Sequence, residues 1–192
     1  DGTPTHRLSV YVSGVGTKFG EPDDGSSMGF GLGEQGILRK IEEGAADFVL
    51  QLTRSVYEPI DELVLDVFGF SRGAATARHF VSREVYDTTG SLHGEYKGAL
   101  VRAFEREGVP WPKNVTVRFL GLFDTVAGVA DVGNLDFSAH DQKTGRINVN
   151  IQPEHVQRAV QFVALAAPRT PFSLILMPGG SATLAHKYRT CG

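Results

Sequence analysis

Residues 63–77 constrain this chain more than any other stretch. Leu63-Val64-Leu65-Asp66-Val67-Phe68 is a largely apolar run of strand length, Gly69-Phe70-Ser71-Arg72-Gly73 is a Gly-x-Ser-x-Gly turn, and Gly73-Ala74-Ala75-Thr76-Ala77 is a run of small residues. Small residues let a helix pack close to a sheet, so the order reads strand, turn, helix. That is the order of a nucleophile elbow. The serine sits at a strained corner, its hydroxyl projects above the sheet, and the next backbone N–H is available to an oxyanion. Side chains at Gly69 and Gly73 are expected to collide with the adjoining strand and helix. The pentapeptide alone is common by chance; its flanks set this copy apart.

The 192 residues suit one domain spanning 1–192, with room for a sizeable core. The chain begins at Asp1 and is expected to be a fragment or processed piece of something longer. A formal net charge of -3, with no long run of like charge, gives no basis for nucleic-acid binding. Cys191 is the single cysteine, which excludes a scaffold built on internal disulfides. No run of about 18 apolar residues could cross a membrane, and no basic start leads into an apolar signal core. Export would need something other than an N-terminal signal within these residues.

Along the chain, Leu8 to Ser13 alternates as a strand and ends in the turn Gly14-Val15-Gly16-Thr17. A polar, glycine-rich loop follows, from Lys18 to Gly33. Ile37, Ile41, Ala45, Phe48, Val49 and Leu52 recur at helical spacing, which predicts a helix over Glu34 to Val56, ended by Pro59. After the elbow strand the pattern predicts a helix over Arg72 to Tyr86. Another helix carries Ala99, Leu100, Ala103 and Phe104 and stops at Gly108 and Pro110; a buried strand then spans Asn114 to Phe123. Ala130 to Asn148 reads as a surface loop. Val156, Ala159, Val160, Val163 and Ala164 again have helical spacing, with Pro153 and Glu154 at the start, and Phe172 to Met177 reads as a short strand. Alternating strands and helices imply parallel crossovers, hence an α/β three-layer sandwich with a mostly parallel sheet.

A serine nucleophile needs a base, and the base needs an orienter. Asp124 directly follows the strand Asn114 to Phe123, and the C-terminal ends of strands are where open α/β sheets gather their sites. In the order Ser, Asp, His it is the candidate acid. Asp66, inside the elbow strand, reads as structural, and Asp131 and Asp136 as loop residues. His6, His79 and His93 precede Asp124; His140, His155 and His186 follow it. His186 is best placed by order, and a histidine outside this sequence is the open alternative. For the oxyanion hole, the Arg72 N–H is one expected donor, and a backbone N–H near Val15 in the early glycine turn is the other. Gly31-Leu32-Gly33-Glu34-Gln35-Gly36 matches Gly-x-Gly-x-x-Gly, but polar residues precede it where a dinucleotide-binding turn needs a strand. No His/Cys/Asp cluster has metal-ligand spacing, and Asp23-Asp24 reads as a solvated loop, so neither a metal nor a cofactor is expected.

Taken together, Val12 to Thr17, Val67 to Arg78 with its Gly-Phe-Ser-Arg-Gly-Ala core, and Gly121-Leu122-Phe123-Asp124-Thr125-Val126 resemble the bacterial α/β-hydrolase domain of type VI secretion lipase effectors. The resemblance covers most of residues 8–175. It implies a phospholipase that cleaves acyl esters of membrane phospholipids as an antibacterial effector, with Ser71 as nucleophile and Asp124 as triad acid. It further implies a secretion-spike partner and an immunity protein, with residence in the producer cytoplasm before export and in the target-cell periplasm after it. Two features depart from the family pattern. Gln161 stands where the family carries a histidine in a His-x-x-Ala helix, and its Pro-Gly-x-His-Ser-Asp-x-Gly-Gly segment, which holds the catalytic histidine, has no counterpart beyond Pro178-Gly179-Gly180-Ser181. The fold is therefore expected to be incomplete at the C-terminus, with the base open between His186 and a histidine elsewhere. Two other classes stay in play: a non-catalytic hydrolase-like binding module, and a soluble esterase or thioesterase acting on small acyl substrates.

Overall fold

A computed structural model describes residues 5–14, 34–56, 58–88, 97–125, 151, 153–164 and 183–188, with backbone alone for residues 34, 35, 153, 164 and 183–188. Strands β1 (Glu62–Phe70), β2 (Asn114–Phe123), β3 (Val156–Ala164) and β4 (Thr183–Tyr188) form one sheet in the order β1-β2-β3-β4. Every neighbouring pair is parallel. The class is thus α/β with a parallel sheet.

Register follows from alternation. Leu63, Leu65 and Val67 of β1 turn towards the core, while Val64, Phe68 and Phe70 are exposed on the opposite face. Leu65 pairs with Val117 but Asp66 pairs with Phe119, so Arg118 is an extra residue in β2. This bulge lets Val117 and Leu120 both reach the core. It also turns Arg118 outward, where its guanidinium grips both carboxylate oxygens of Asp66 and holds that carboxyl below its usual range.

Helix α1 (Glu34–Ser55) buries Ile37, Ile41, Ala45, Val49 and Leu52, a stripe at three- and four-residue spacing. Helix α2 (Arg72–His79) packs on β1 and β2, and α1 packs on α3 (Ala99–Arg106). All three helices feed one core with Leu63, Leu120, Leu122 and Val156 of the sheet.

The helix expected over Arg72 to Tyr86 changes pitch at Phe80, where Phe80–Glu84 forms a π-helical turn. That turn aims Glu84 at the start of α3. The Ala99 N–H donates to Glu84 Oε2 at 2.7 Å, so a carboxylate fifteen residues upstream caps a helix whose own N-cap is Gly98. A Cβ at Gly98 would lie 2.4 Å from the Glu84 carbonyl oxygen, so the approach requires glycine. His79 Nε2 lies 3.2 Å from Glu84 Oε1. Burial raises the Glu84 pKa, but the His79 imidazole and the Ala99 N–H outweigh it and hold the carboxyl below its ordinary value. With the folded pKa below the unfolded value of about 4.3, this stabilisation is complete above that pH and is lost as pH falls through the folded value. Glu84→Gln is expected to cost about 1–3 kcal/mol at neutral pH and to flatten the acid limb of stability, read by urea unfolding between pH 3 and 7.

Tyr86 ties this turn to the sheet. Its hydroxyl donates to the His155 carbonyl at 2.8 Å and accepts from the Val117 N–H at 3.0 Å, beside the bulge. The ring lies 4.5 Å from the His155 ring. Tyr86→Phe keeps the ring and strands both backbone groups, so a loss of about 1–3 kcal/mol in urea unfolding is expected.

Two sequence expectations fail here. Residues 156–164 are strand β3, preceded by a 3-10 turn at Pro153–His155, and not a helix. Val156, Ala159, Val160 and Val163 fit helical spacing, yet β-branched valines with Phe162 suit a strand, and β2 supplies the backbone partners. Leu8 to Ser13 takes no strand: Tyr11 is 84% exposed, and Val12 Cγ2 would sit 2.6 Å from a Cβ at Gly44 of α1. The segment crosses a helix there instead of joining the sheet. The turn at 15–17, the loop to Gly33 with residues 31–33 of the glycine motif, Asp131, Asp136 and the expected strand over 172–177 lie outside the described residues.

Candidate functional site

Strands β1 and β2 finish level with one another, and β3 and β4 run two residues further: Phe70 pairs with Phe123, Phe123 with Phe162, and Phe162 with His186. Ser71 and Asp124 are the next residues on β1 and β2. Both have positive φ, at 54° and 45°, and among the described residues no other non-glycine residue does. A serine at φ 54° and ψ -121° is a strained corner, on the order of 1–3 kcal/mol. It persists because its surroundings fix it from both sides.

Those surroundings are backbone. The Ser71 N–H donates to the Phe123 carbonyl at 2.8 Å, and the Ala74 N–H donates to the Ser71 carbonyl at 3.1 Å. The first bond ties the corner to the residue immediately before Asp124. The Asp124 N–H in turn donates to the Phe162 carbonyl at 2.9 Å. Ser71, Asp124 and the end of β3 are thereby linked across three strands. The Ser71 side chain makes no capping bond to α2, although it occupies the N-cap position. Arg72 is the first residue of α2, so its N–H has no carbonyl partner within the helix and carries the positive end of the helix dipole.

Gly69 shows why the corner can be so tight. A Cβ there would lie 2.3 Å from the Gly73 carbonyl oxygen and 2.6 Å from Ala74 Cα, so helix and strand approach at backbone contact. Gly73 is different. Among the described residues nothing lies within 4 Å of a Cβ built on it, and its φ is not positive, which corrects the expectation that both glycines are sterically required.

Aromatic residues line the exposed side of the strand ends. The Phe123 and Phe162 rings stack at 4.8 Å, and Phe68 packs at 5.5 Å from Phe119 over Gly121. A Cβ at Gly121 would lie 2.7 Å from Phe68 Cδ1.

The histidines are less favourably placed. His79 is buried at the far end of α2 beside Glu84, about 12 Å along the helix axis from Ser71. His155 precedes β3, at the opposite end of the sheet, against Tyr86. His186 is on β4 at the level of Phe70, but three strands across at about 4.8 Å each puts its backbone roughly 14 Å from the elbow. That exceeds the backbone separation a direct serine–histidine hydrogen bond spans. His93, His140 and Val15, the second expected oxyanion donor, lie outside the described residues. The sequence reading missed the Phe162 carbonyl, because it placed residue 162 in a helix; the β-branched content of 156–163 was the available signal.

Among the described residues no group of His, Cys, Asp and Glu could hold a metal ion. Nor is any helix among them long and apolar enough to cross a membrane.

No protein-family model matches the chain, and no curated protein matches it. Among solved structures it is similar to the Tle1 effector bound to the VgrG spike from the Type 6 secretion system, with 28% identity and a TM-score of 0.52 over 81% of this chain and 28% of that one. An uncharacterized protein from Pseudomonas aeruginosa superposes at 22% identity with a TM-score of 0.36, over 81% of this chain and 22% of that one. The chain thus spans less than a third of the length of either structure. The first similarity supports a fold like that of a secretion effector.

Proposed function

We propose that this chain is the single α/β-hydrolase-like catalytic domain of a serine-dependent phospholipase delivered by a type VI secretion system. The observation that carries the reading is Ser71 held at φ 54° and ψ -121° between a strand and a helix, with its N–H bonded to the residue before Asp124. A fold accepts such strain where a hydroxyl has to project clear of the sheet. The similarity to Tle1 supports the route, and the Gly-Phe-Ser-Arg-Gly-Ala and Phe-Asp-Thr-Val sequences, which resemble those of type VI secretion lipase effectors, support the substrate class.

In this reading Ser71 Oγ attacks the ester carbonyl carbon while a histidine takes its proton. The Arg72 N–H, with a second donor from the loop near Val15, holds the oxyanion. Asp124 holds the histidine in the required tautomer and stabilises its cation. Collapse of the intermediate expels the lysophospholipid alcohol, protonated by the histidine, and water then releases the fatty acid from Ser71. The roughly 14 Å between strand ends argues against His186 as the base, so the role goes to a histidine outside the described residues. The spike protein and a phospholipid membrane are the proposed partners, with an immunity protein in the producing cell. The site of action is the target-cell periplasm.

The test compares fatty-acid release from phospholipid vesicles with hydrolysis of short-chain nitrophenyl esters by the native protein, before and after fluorophosphonate treatment. The reading expects phosphonate-sensitive release from vesicles. Activity on short esters alone would replace it with a soluble esterase, and no activity on either with a binding module.

A further inference from the structure

Residues 8–13 cross α1 as a half-covered strap. Leu8 packs against the core, Val12 covers Gly44, and the Lys40 ammonium donates to Ser13 Oγ at 3.4 Å. Yet none of residues 5–14 is fully buried, and Tyr11 stands well out from the surface. Strand β1 has the complementary feature. Among the described residues it pairs with β2 alone, so its other edge meets no strand. An edge as long and apolar as Leu63-Val64-Leu65 and Val67-Phe68 is one that native folds cover.

Topology connects the two. Helix α1 packs on α2 and α3, and all three feed the core on one face of the sheet. On that face the chain runs from β1 through α2 and α3 to its parallel neighbour β2. A parallel strand that reached β1 through α1, by a crossover of the same hand, lies on the edge of β1 away from β2. Setting Gly14 level with Ser71 then pairs Leu8, Val10 and Val12 with Leu65, Val67 and Gly69, on the side of β1 that faces the core. In the same register Tyr11 falls beside Phe68, so two rings that are 84% and 63% exposed as they stand cover each other. A slip of one residue would turn all three aliphatic side chains outward. The nineteen residues 15–33 join the strap to α1 with an extended reach of about 60 Å, so tether length does not limit the move. We propose that residues 8–13 have two positions, one docked on α1 as in this structure and one added to the outer edge of β1 as a further parallel strand when the site is engaged. The second position ends beside Ser71, and the backbone N–H near Val15 follows directly in the chain. A substrate oxyanion held by that N–H favours the second position alone and so draws the strap across. The inference rests on the roles proposed above for Ser71 and the Val15 N–H, and it adds no covalent step.

The docked position can be locked, because Val12 Cβ lies 3.9 Å from a Cβ built on Gly44, within the span of a disulfide. The experiment measures the rate of fluorophosphonate labelling at Ser71 in Val12→Cys/Gly44→Cys, oxidised and then reduced, in a Cys191→Ser parent that removes the native thiol. The inference expects the oxidised protein to label about a hundredfold more slowly, the scale of a lost oxyanion donor, and reduction to restore the parental rate. With the internal disulfide verified by mass, equal rates before and after reduction, or a loss that reduction does not reverse, overturn the inference and leave the Ser71 reading standing. A parent that does not label at Ser71 overturns both. Should the double variant fail to fold or to oxidise, Tyr11→Cys/Phe68→Cys in the same parent is oxidised after labelling. An internal disulfide is then expected between neighbouring strands, and its absence overturns the inference.

Discussion

Ser71→Ala is expected to remove essentially all fatty-acid release from phospholipid vesicles, a fall on the order of 10⁶ in kcat where the nucleophile of a triad is deleted. Asp124→Asn should cost about 10⁴, since the amide no longer fixes the tautomer of the base or stabilises its cation. Neither change should alter KM much, because neither side chain binds the substrate in its ground state. The fold should survive both. Alanine meets the same strain at φ 54° as serine does, and Asp124 is fixed through its N–H to the Phe162 carbonyl, a bond asparagine retains. Stopped assays of released fatty acid, with circular dichroism on the same samples, separate a lost step from a lost fold. Equal loss from the two variants would point instead to a role for Asp124 in building the corner.

Gly69→Ala should destroy the corner itself. Its Cβ would stand 2.3 Å from the Gly73 carbonyl oxygen and 2.6 Å from Ala74 Cα, and both are backbone atoms that cannot swing aside as a side-chain tip could. Relief requires α2 to lift from β1, which exposes Ala74 and Ala77 and breaks the Ser71 N–H bond to Phe123. A loss of about 3 kcal/mol or more is expected in urea unfolding, together with loss of labelling at Ser71. Gly73→Ala is the matched control. With open space at its Cβ and no positive φ, it should keep wild-type stability within about 0.5 kcal/mol and remain labelled.

How far the sequence reveals this arrangement depends on how many local signals agree. At 62–79 they all do: alternation, glycine at the turn and small residues after it point to strand, corner and helix, and β1 and α2 fall there. Asn114 to Phe123 is equally plain, and with it the neighbourhood of Ser71 and Asp124. At 156–164 the signals conflict, because the same valines satisfy a helical stripe and a strand, and only pairing with β2 decides. At 8–13 alternation is present without a partner strand, and close passage over Gly44 wins. The bulge at Arg118, the cap that Glu84 provides for α3 and the Phe162 carbonyl under Asp124 all depend on residues distant in sequence. No local pattern records them. The same holds for the two glycines of the elbow, which look equivalent on paper and differ in what stands opposite them.

The central claim is that Ser71 is an activated nucleophile, and the most direct test is to map the site of fluorophosphonate modification on the folded native protein by peptide mass spectrometry. The account predicts a single adduct on the peptide carrying Ser71, absent from Ser71→Ala and absent after heat denaturation. An unmodified Ser71 in folded protein, or labelling undiminished in Ser71→Ala, would contradict it.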